Sequence, residues 1–157
     1  MPLWIIYHPP TTFTTPQSKA ALSKDITTIY TNAKLPAFYV NVIFIPVSPE
    51  NYYIGGVPRP SPHSSSNPSG QDTSVPWIRI TIQNIARRLP DAAARKRFLG
   101  MVDAALKPHI EDKGYDWEYN VEETDRDLWK VQGLVPPSQG SEAEALWVKE
   151  NKPIPYE

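Results

Sequence analysis

Two stretches of equal length, residues 2–46 and 77–121, each run strand, helix, strand, and that repetition leaves few folds open. In the first, Leu3-Trp4-Ile5-Ile6-Tyr7 is a short apolar run stopped by Pro9-Pro10. Thr15-Pro16 pairs an N-cap residue with proline at the first helical position. Leu22, Ile26, Ile29 and Tyr30 then recur at helical spacing, predicting a helix from about Pro16 to about Ala33. Ala37 to Val47 follows as a β-branched and aromatic run whose polar member is Asn41, the pattern of a strand covered on both faces.

The second stretch repeats the order. Trp77 to Ile82 alternates as a strand, and Pro90-Asp91 opens a helix with the stripe Phe98, Leu99, Val102, Ala105 and Leu106. Asp116 to Val121 alternates again. Right-handed crossovers put both helices on one sheet face. The expected fold class is therefore α/β: duplicated β-α-β units forming a four-stranded mixed sheet with two helices on one face. Identity between the halves is slight, so the repeat is one of structure.

A length of 157 residues fits a single domain. Between the halves, Pro58 to Pro76 is rich in Ser, Pro and Gly. It reads either as a linker or as a surface loop inserted into one domain. Neither half alone could bury its sheet, which favours the loop. From Pro136 onward the chain reads as an extended arm, of the kind that packs on a neighbouring subunit.

Composition narrows the function. Hydrophobic residues make up 40% and charged ones 21%, enough for a core and unlike a disordered chain. A net charge of -1 argues against nucleic acid or an anionic membrane as main partner. The absence of Cys removes disulfides, thiolate nucleophiles and Cys-metal sites. His8, His63 and His109 are too scattered to propose a metal site. No apolar run approaches the ~18 residues of a membrane span, and no secretory signal pattern opens the chain. The expectation is a soluble, cytoplasmic protein without metal or cofactor.

Position 2 carries the chemical interest. Removal of the initiator Met, favoured by a small second residue such as proline, leaves Pro2 as a free secondary amine. An α-amino group titrates near ~7.7–8.0 in water, and burial or nearby cations lower that value. Such a nitrogen at the end of a buried strand is suited to general base catalysis near neutral pH. The plain alternative is a second residue chosen only for processing.

Pro2 opening a strand, the two β-α-β units and Asn51-Tyr52-Tyr53-Ile54-Gly55-Gly56-Val57 after the second strand together resemble the tautomerase superfamily. The closest likeness is to its cis-3-chloroacrylic acid dehalogenase branch and fungal relatives. Trp117-x-Tyr119 and Leu134-x-Pro136 fall in the same order, so the likeness spans nearly the whole chain outside Pro58–Pro76.

The resemblance implies a site. The family's amino-terminal proline, acid or base, matches Pro2. Of its two carboxylate-binding arginines, one matches Arg87 while Asn84 stands at the other. The family's active-site His on the first helix matches Tyr30, which keeps a hydrogen-bonding tip without imidazolium charge. The fourth-strand tyrosine matches Tyr119, and the glutamate that readies water in the dehalogenase matches Lys130. A cation there would depress the Pro2 amine and draw an anion. It favours Pro2 as a neutral base in keto–enol tautomerisation over its protonated form in dehalogenation or hydration.

The implied catalytic set is Pro2, Arg87 and Tyr119, with Tyr30, Asn84 and Lys130 binding a small anionic substrate. Each has a plainer counterpart. Arg87 in a solvated turn with Arg88, Tyr30 in the core, Asn84 ending a strand and Lys130 facing water are the structural readings of the same residues. The resemblance also implies a trimer whose three sheets form a central barrel, covering the face opposite the helices. The apolar run Phe38, Val40, Val42 and Phe44 reads as that covered surface. The leading function is a cofactor-independent tautomerase-like isomerase of a small 2-oxo or enol carboxylate. Alternatives are a dehalogenase or hydratase of a small unsaturated acid, and a trimeric binding protein without chemistry on the same scaffold.

Overall fold

A computed structural model describes residues 1–63 and 70–156; the middle of the expected Pro58–Pro76 insertion lies outside the described residues. The main sheet has four strands: β1 (Leu3–His8), β2 (Asn41–Pro46), β3 (Trp77–Asn84) and β4 (Asp116–Glu123). Their order is β2-β1-β3-β4. The pairs β1–β2 and β3–β4 are parallel, and β1–β3, which joins the two units, is antiparallel. The expected duplicated mixed sheet is what forms.

Helix α1 (Pro16–Asn32) starts where Thr15 accepts the Ser18 amide at 3.1 Å, with Pro16 in the first turn. Helix α2 (Ala92–Leu106) starts where Asp91 accepts the Ala94 amide at 2.7 Å. Leu22, Ile26, Ile29 and Tyr30 of α1 and Phe98, Val102, Ala105 and Leu106 of α2 are buried. They close over Trp4, Ile6, Ile78, Ile80 and Ile82, all fully buried. Leu99, expected in that stripe, is 39% exposed and lies at the flank of α2, near β4.

Two expectations need correction. Residues 37–47 do not form one doubly covered strand: Ala37–Tyr39 is a short 3-10 turn, and β2 is an edge strand with Ile43 46% exposed. The register Trp4↔Val42 and Ile6↔Phe44 turns Val42 and Phe44 toward the helices, and Phe38 packs on Trp147. The open face instead carries Leu3, Ile5, Tyr7, Ile43 and Ile45 on β1–β2. On β3–β4 it carries Arg79, Thr81, Gln83, Glu118, Asn120 and Glu122.

The carboxyl-terminal segment is not an extended arm. It contains helix α3 (Glu142–Glu150), capped by Ser141, whose hydroxyl accepts the Glu144 amide. The run Glu-Ala-Glu-Ala-Leu-Trp favours helix, and Asn151 ends it in the left-handed region at φ 48°. The helix packs on its own chain. Trp147, fully buried, meets the rings of Phe38, Tyr39 and Tyr156, and Asn151 accepts the Phe38 amide at 2.9 Å.

Candidate functional site

The amino terminus sits at the sheet end where β1 begins and β3 stops. Pro2 is buried, and its carbonyl accepts the Asn41 amide at 2.9 Å. The antiparallel pairing Leu3↔Gln83, carried one step further, sets Pro2 beside Asn84 on the helix-facing side. With Met1 in place, the terminal amine is pushed down from 8.0 to about 5, first by burial and then by the Arg126 guanidinium.

Three residues expected in the site meet in a cavity of about 210 Å³ between α1 and α2, lined by Tyr30, Asn84 and Arg87 among others. Tyr30 accepts the Trp4 indole N–H at 3.0 Å, and burial raises its hydroxyl pKa to about 12. Asn84, 2% exposed, donates its amide to the Arg87 carbonyl at 2.7 Å and so closes the turn after β3. Arg87 donates to Glu144 at 2.9 Å, to the Ala33 carbonyl at 3.2 Å and to the Ala86 carbonyl at 3.3 Å. The arginine expected to be a free carboxylate clamp thus ties together the end of α1, the end of β3 and helix α3.

The other two lie apart. Tyr119 lines a separate groove of about 650 Å³ between β4 and α2, and its hydroxyl donates to Asp103 at 2.7 Å. Burial first, then that carboxylate, raises its pKa. Lys130 is exposed. The cation that acts on the amino terminus is Arg126, four residues earlier. His8 sits at the end of β1, buried, with Nδ1 against the Pro9 carbonyl at 2.9 Å and the Thr12 hydroxyl at 3.1 Å.

Arg126 was not visible as a site residue, since flanking Asp125 and Asp127 make it read as part of a solvated turn. Its Nη1 donates to the Ala86 carbonyl at 3.1 Å and its Nη2 to the carbonyls of Pro136 and Pro137, with the guanidinium over the Trp129 ring. Arg87, Arg88 and Arg126 line one crevice of about 500 Å³, shared with Ile85, Ala86, Pro90, Ser138 and Gln139. Glu144 neutralises Arg87, and Asp125 faces Arg88 at 3.7 Å. Among the described residues Arg126 has no carboxylate within ion-pair distance and carries the uncompensated charge of the crevice. Glu144 did have a sequence signal: Ser141-x-x-Glu144 before Ala-Leu-Trp is a helix-start pattern.

Among the described residues no group of three or more Asp, Glu or His is placed to hold a metal ion. No helix there is long and apolar enough to cross a membrane.

Residues 1–152 match the family model described as "Putative oxalocrotonate tautomerase enzyme". No curated protein matches the chain. Among solved structures, a probable enzyme from the thermophilic fungus Aspergillus fumigatus is 42% identical, with 99% of this chain and 98% of that one covered and a TM-score of 0.84. Native RhCC from Rhodococcus jostii RHA1 is 39% identical over 98% of this chain and 99% of that one, also at 0.84. A fused 4-OT wild type asymmetric trimer shares the fold at 17% identity, with 85% and 94% covered and a TM-score of 0.58.

Proposed function

This chain belongs to the tautomerase superfamily, in the family whose model it matches along nearly its full length, and from that premise we propose that it is a cofactor-independent tautomerase using Pro2 as general base. The substrate class is a small 2-oxo or enol carboxylate. The observation that carries the proposal is the amino terminus itself: Pro2 is buried at the sheet end, and the charged amine is disfavoured by burial and by Arg126, which has no carboxylate partner among the described residues.

In this reading Met1 is removed and the amine becomes the ring nitrogen of Pro2. Burial and Arg126 disfavour its charged form, so it stands neutral and able to accept a proton at neutral pH. The substrate carboxylate pairs with Arg126, which holds the plane of the molecule against the amine. Pro2 takes the proton from the carbon next to the carbonyl, and the electron pair moves onto the carbonyl oxygen. Return of that proton from the ammonium to the enolate oxygen gives the enol, and the reverse passage gives the keto form, without any net reagent. Arg87 acts by fixing the rim of the crevice through Glu144, and it also lines the separate cavity that holds Tyr30 and Asn84.

Both Glu144 oxygens are already engaged, one by Arg87 and the other by the Gly140 amide at 2.8 Å. That leaves Glu144 unsuited to readying a water, which favours tautomerisation over hydration or dehalogenation. A trimer completes the proposal: three apolar β1–β2 faces would cover one another, as in the trimeric assembly named for the fused 4-OT structure.

The test is direct. Intact-mass measurement should find the protein beginning at Pro2, and the processed protein should ketonise phenylenolpyruvate. Pro2→Ala should lower kcat/KM by about 10²-fold or more. Turnover indifferent to that change would leave a non-catalytic binding protein as the better reading.

A further inference from the structure

We propose that the Tyr39 hydroxyl is the hydrogen-bond donor to the substrate's 2-oxo oxygen; this rests on the tautomerase reading and names the group that receives the developing enolate charge. Tyr39 is fully buried, and its Oη is among the few buried polar side-chain atoms with no hydrogen-bond partner among the described residues. A buried hydroxyl left unpaired is costly, and native interiors rarely keep one without a use.

Its position gives the use. Tyr39 stands two residues before Asn41, whose amide bonds the Pro2 carbonyl, so the short turn at Ala37–Tyr39 delivers it to the same sheet end as the amine. Its ring packs on Trp129 at 4.8 Å between centroids, and the Arg126 guanidinium lies over that same Trp129 ring at 5.7 Å. Both the Tyr39 ring and the Arg126 guanidinium therefore pack on the one indole. Contacts with Phe38 and Trp147 hold the ring in place. A 2-oxo carboxylate with its carboxylate at Arg126 needs a second donor for the neighbouring oxygen, and a preorganised hydroxyl in a dry wall supplies it without reorganisation. Burial pushes the Tyr39 hydroxyl up to about 12, which keeps it protonated and able to donate. Tyr119, named in the implied catalytic set, donates its hydroxyl to Asp103 instead.

The experiment compares Tyr39→Phe with the processed wild-type protein, with Tyr52→Phe as control, since the Tyr52 hydroxyl is likewise buried without a partner among the described residues. Binding is followed by tryptophan fluorescence for two probes, phenylpyruvate and 3-phenylpropanoate, which lacks the oxo oxygen. Tyr39→Phe should weaken phenylpyruvate about tenfold and leave 3-phenylpropanoate unchanged, with thermal stability unchanged or raised. Ketonisation of phenylenolpyruvate should lose about tenfold or more in kcat. Tyr52→Phe should change none of these. Wild-type binding of phenylpyruvate by Tyr39→Phe, equal weakening of both probes, or a lowered melting temperature would each overturn the assignment while leaving Pro2 catalysis standing. A wild-type protein that binds neither probe would overturn the functional reading as well.

Discussion

Glu144 of α3 accepts a hydrogen bond from Arg87, just beyond β3, at 2.9 Å, with both side chains largely withdrawn from water. Removing either partner strands the other charge where solvent cannot repay it. Glu144→Ala should lower the unfolding free energy by about 3 kcal/mol, read by urea denaturation. Glu144→Gln keeps an acceptor and should lose less. Arg87→Ala combined with Glu144→Ala should cost less than the sum of the two single changes.

The amino terminus makes stability depend on pH in a defined window. In protein that retains Met1, the amine titrates at about 5 when folded against 8.0 in its ordinary state. Between those values the unfolded chain binds a proton that the folded chain refuses, so acid favours unfolding. Stability from this group should be fully present above pH 8.0, fall as pH drops through the window, and level off below about 5. Unfolding curves across that range, compared with those of protein whose terminal amine is acetylated, isolate the contribution.

Arg126 is the lesser of the two causes that depress the amine, burial being the greater. Arg126→Met should therefore raise the acidic-limb pKa of kcat/KM only part of the way toward an ordinary amine. It should raise KM for phenylenolpyruvate by about tenfold, the worth of one lost charge-assisted contact. An unchanged KM would place the substrate carboxylate elsewhere.

Ile43 projects from edge strand β2 onto the open face and is 46% exposed in the single chain. Ile43→Lys should leave the fold intact, since the side chain is nearly half exposed in the single chain. It should convert a trimer to monomer by light scattering, because an ammonium in the middle of an apolar interface is costly to desolvate. A monomeric wild-type protein would remove the trimer from the proposal.

The sequence by itself determined the sheet and the two crossover helices. Alternation in Trp77–Ile82, helical spacing from Leu22 to Tyr30 and the caps at Thr15 and Asp91 are local patterns whose geometry follows from the backbone. Pro2 as the proposed base is a reading of the same local kind, because a chain-end amine needs no distant partner to be noticed. What tertiary structure alone decided is which charges and hydroxyls are spent and which are left. Arg87 reads as a free clamp until Glu144, 57 residues away in sequence, is folded onto it. Lys130 and Arg126 are both cations in one short stretch, yet Arg126 turns inward onto the Trp129 ring and the Ala86, Pro136 and Pro137 carbonyls while Lys130 stays in water. Phe38, Val42 and Phe44 announce burial, yet pairing register sets which face of β2 is buried, and a shift of one residue would exchange the two faces. Long-range pairing and desolvation belong to positions in space, and a linear pattern does not carry them.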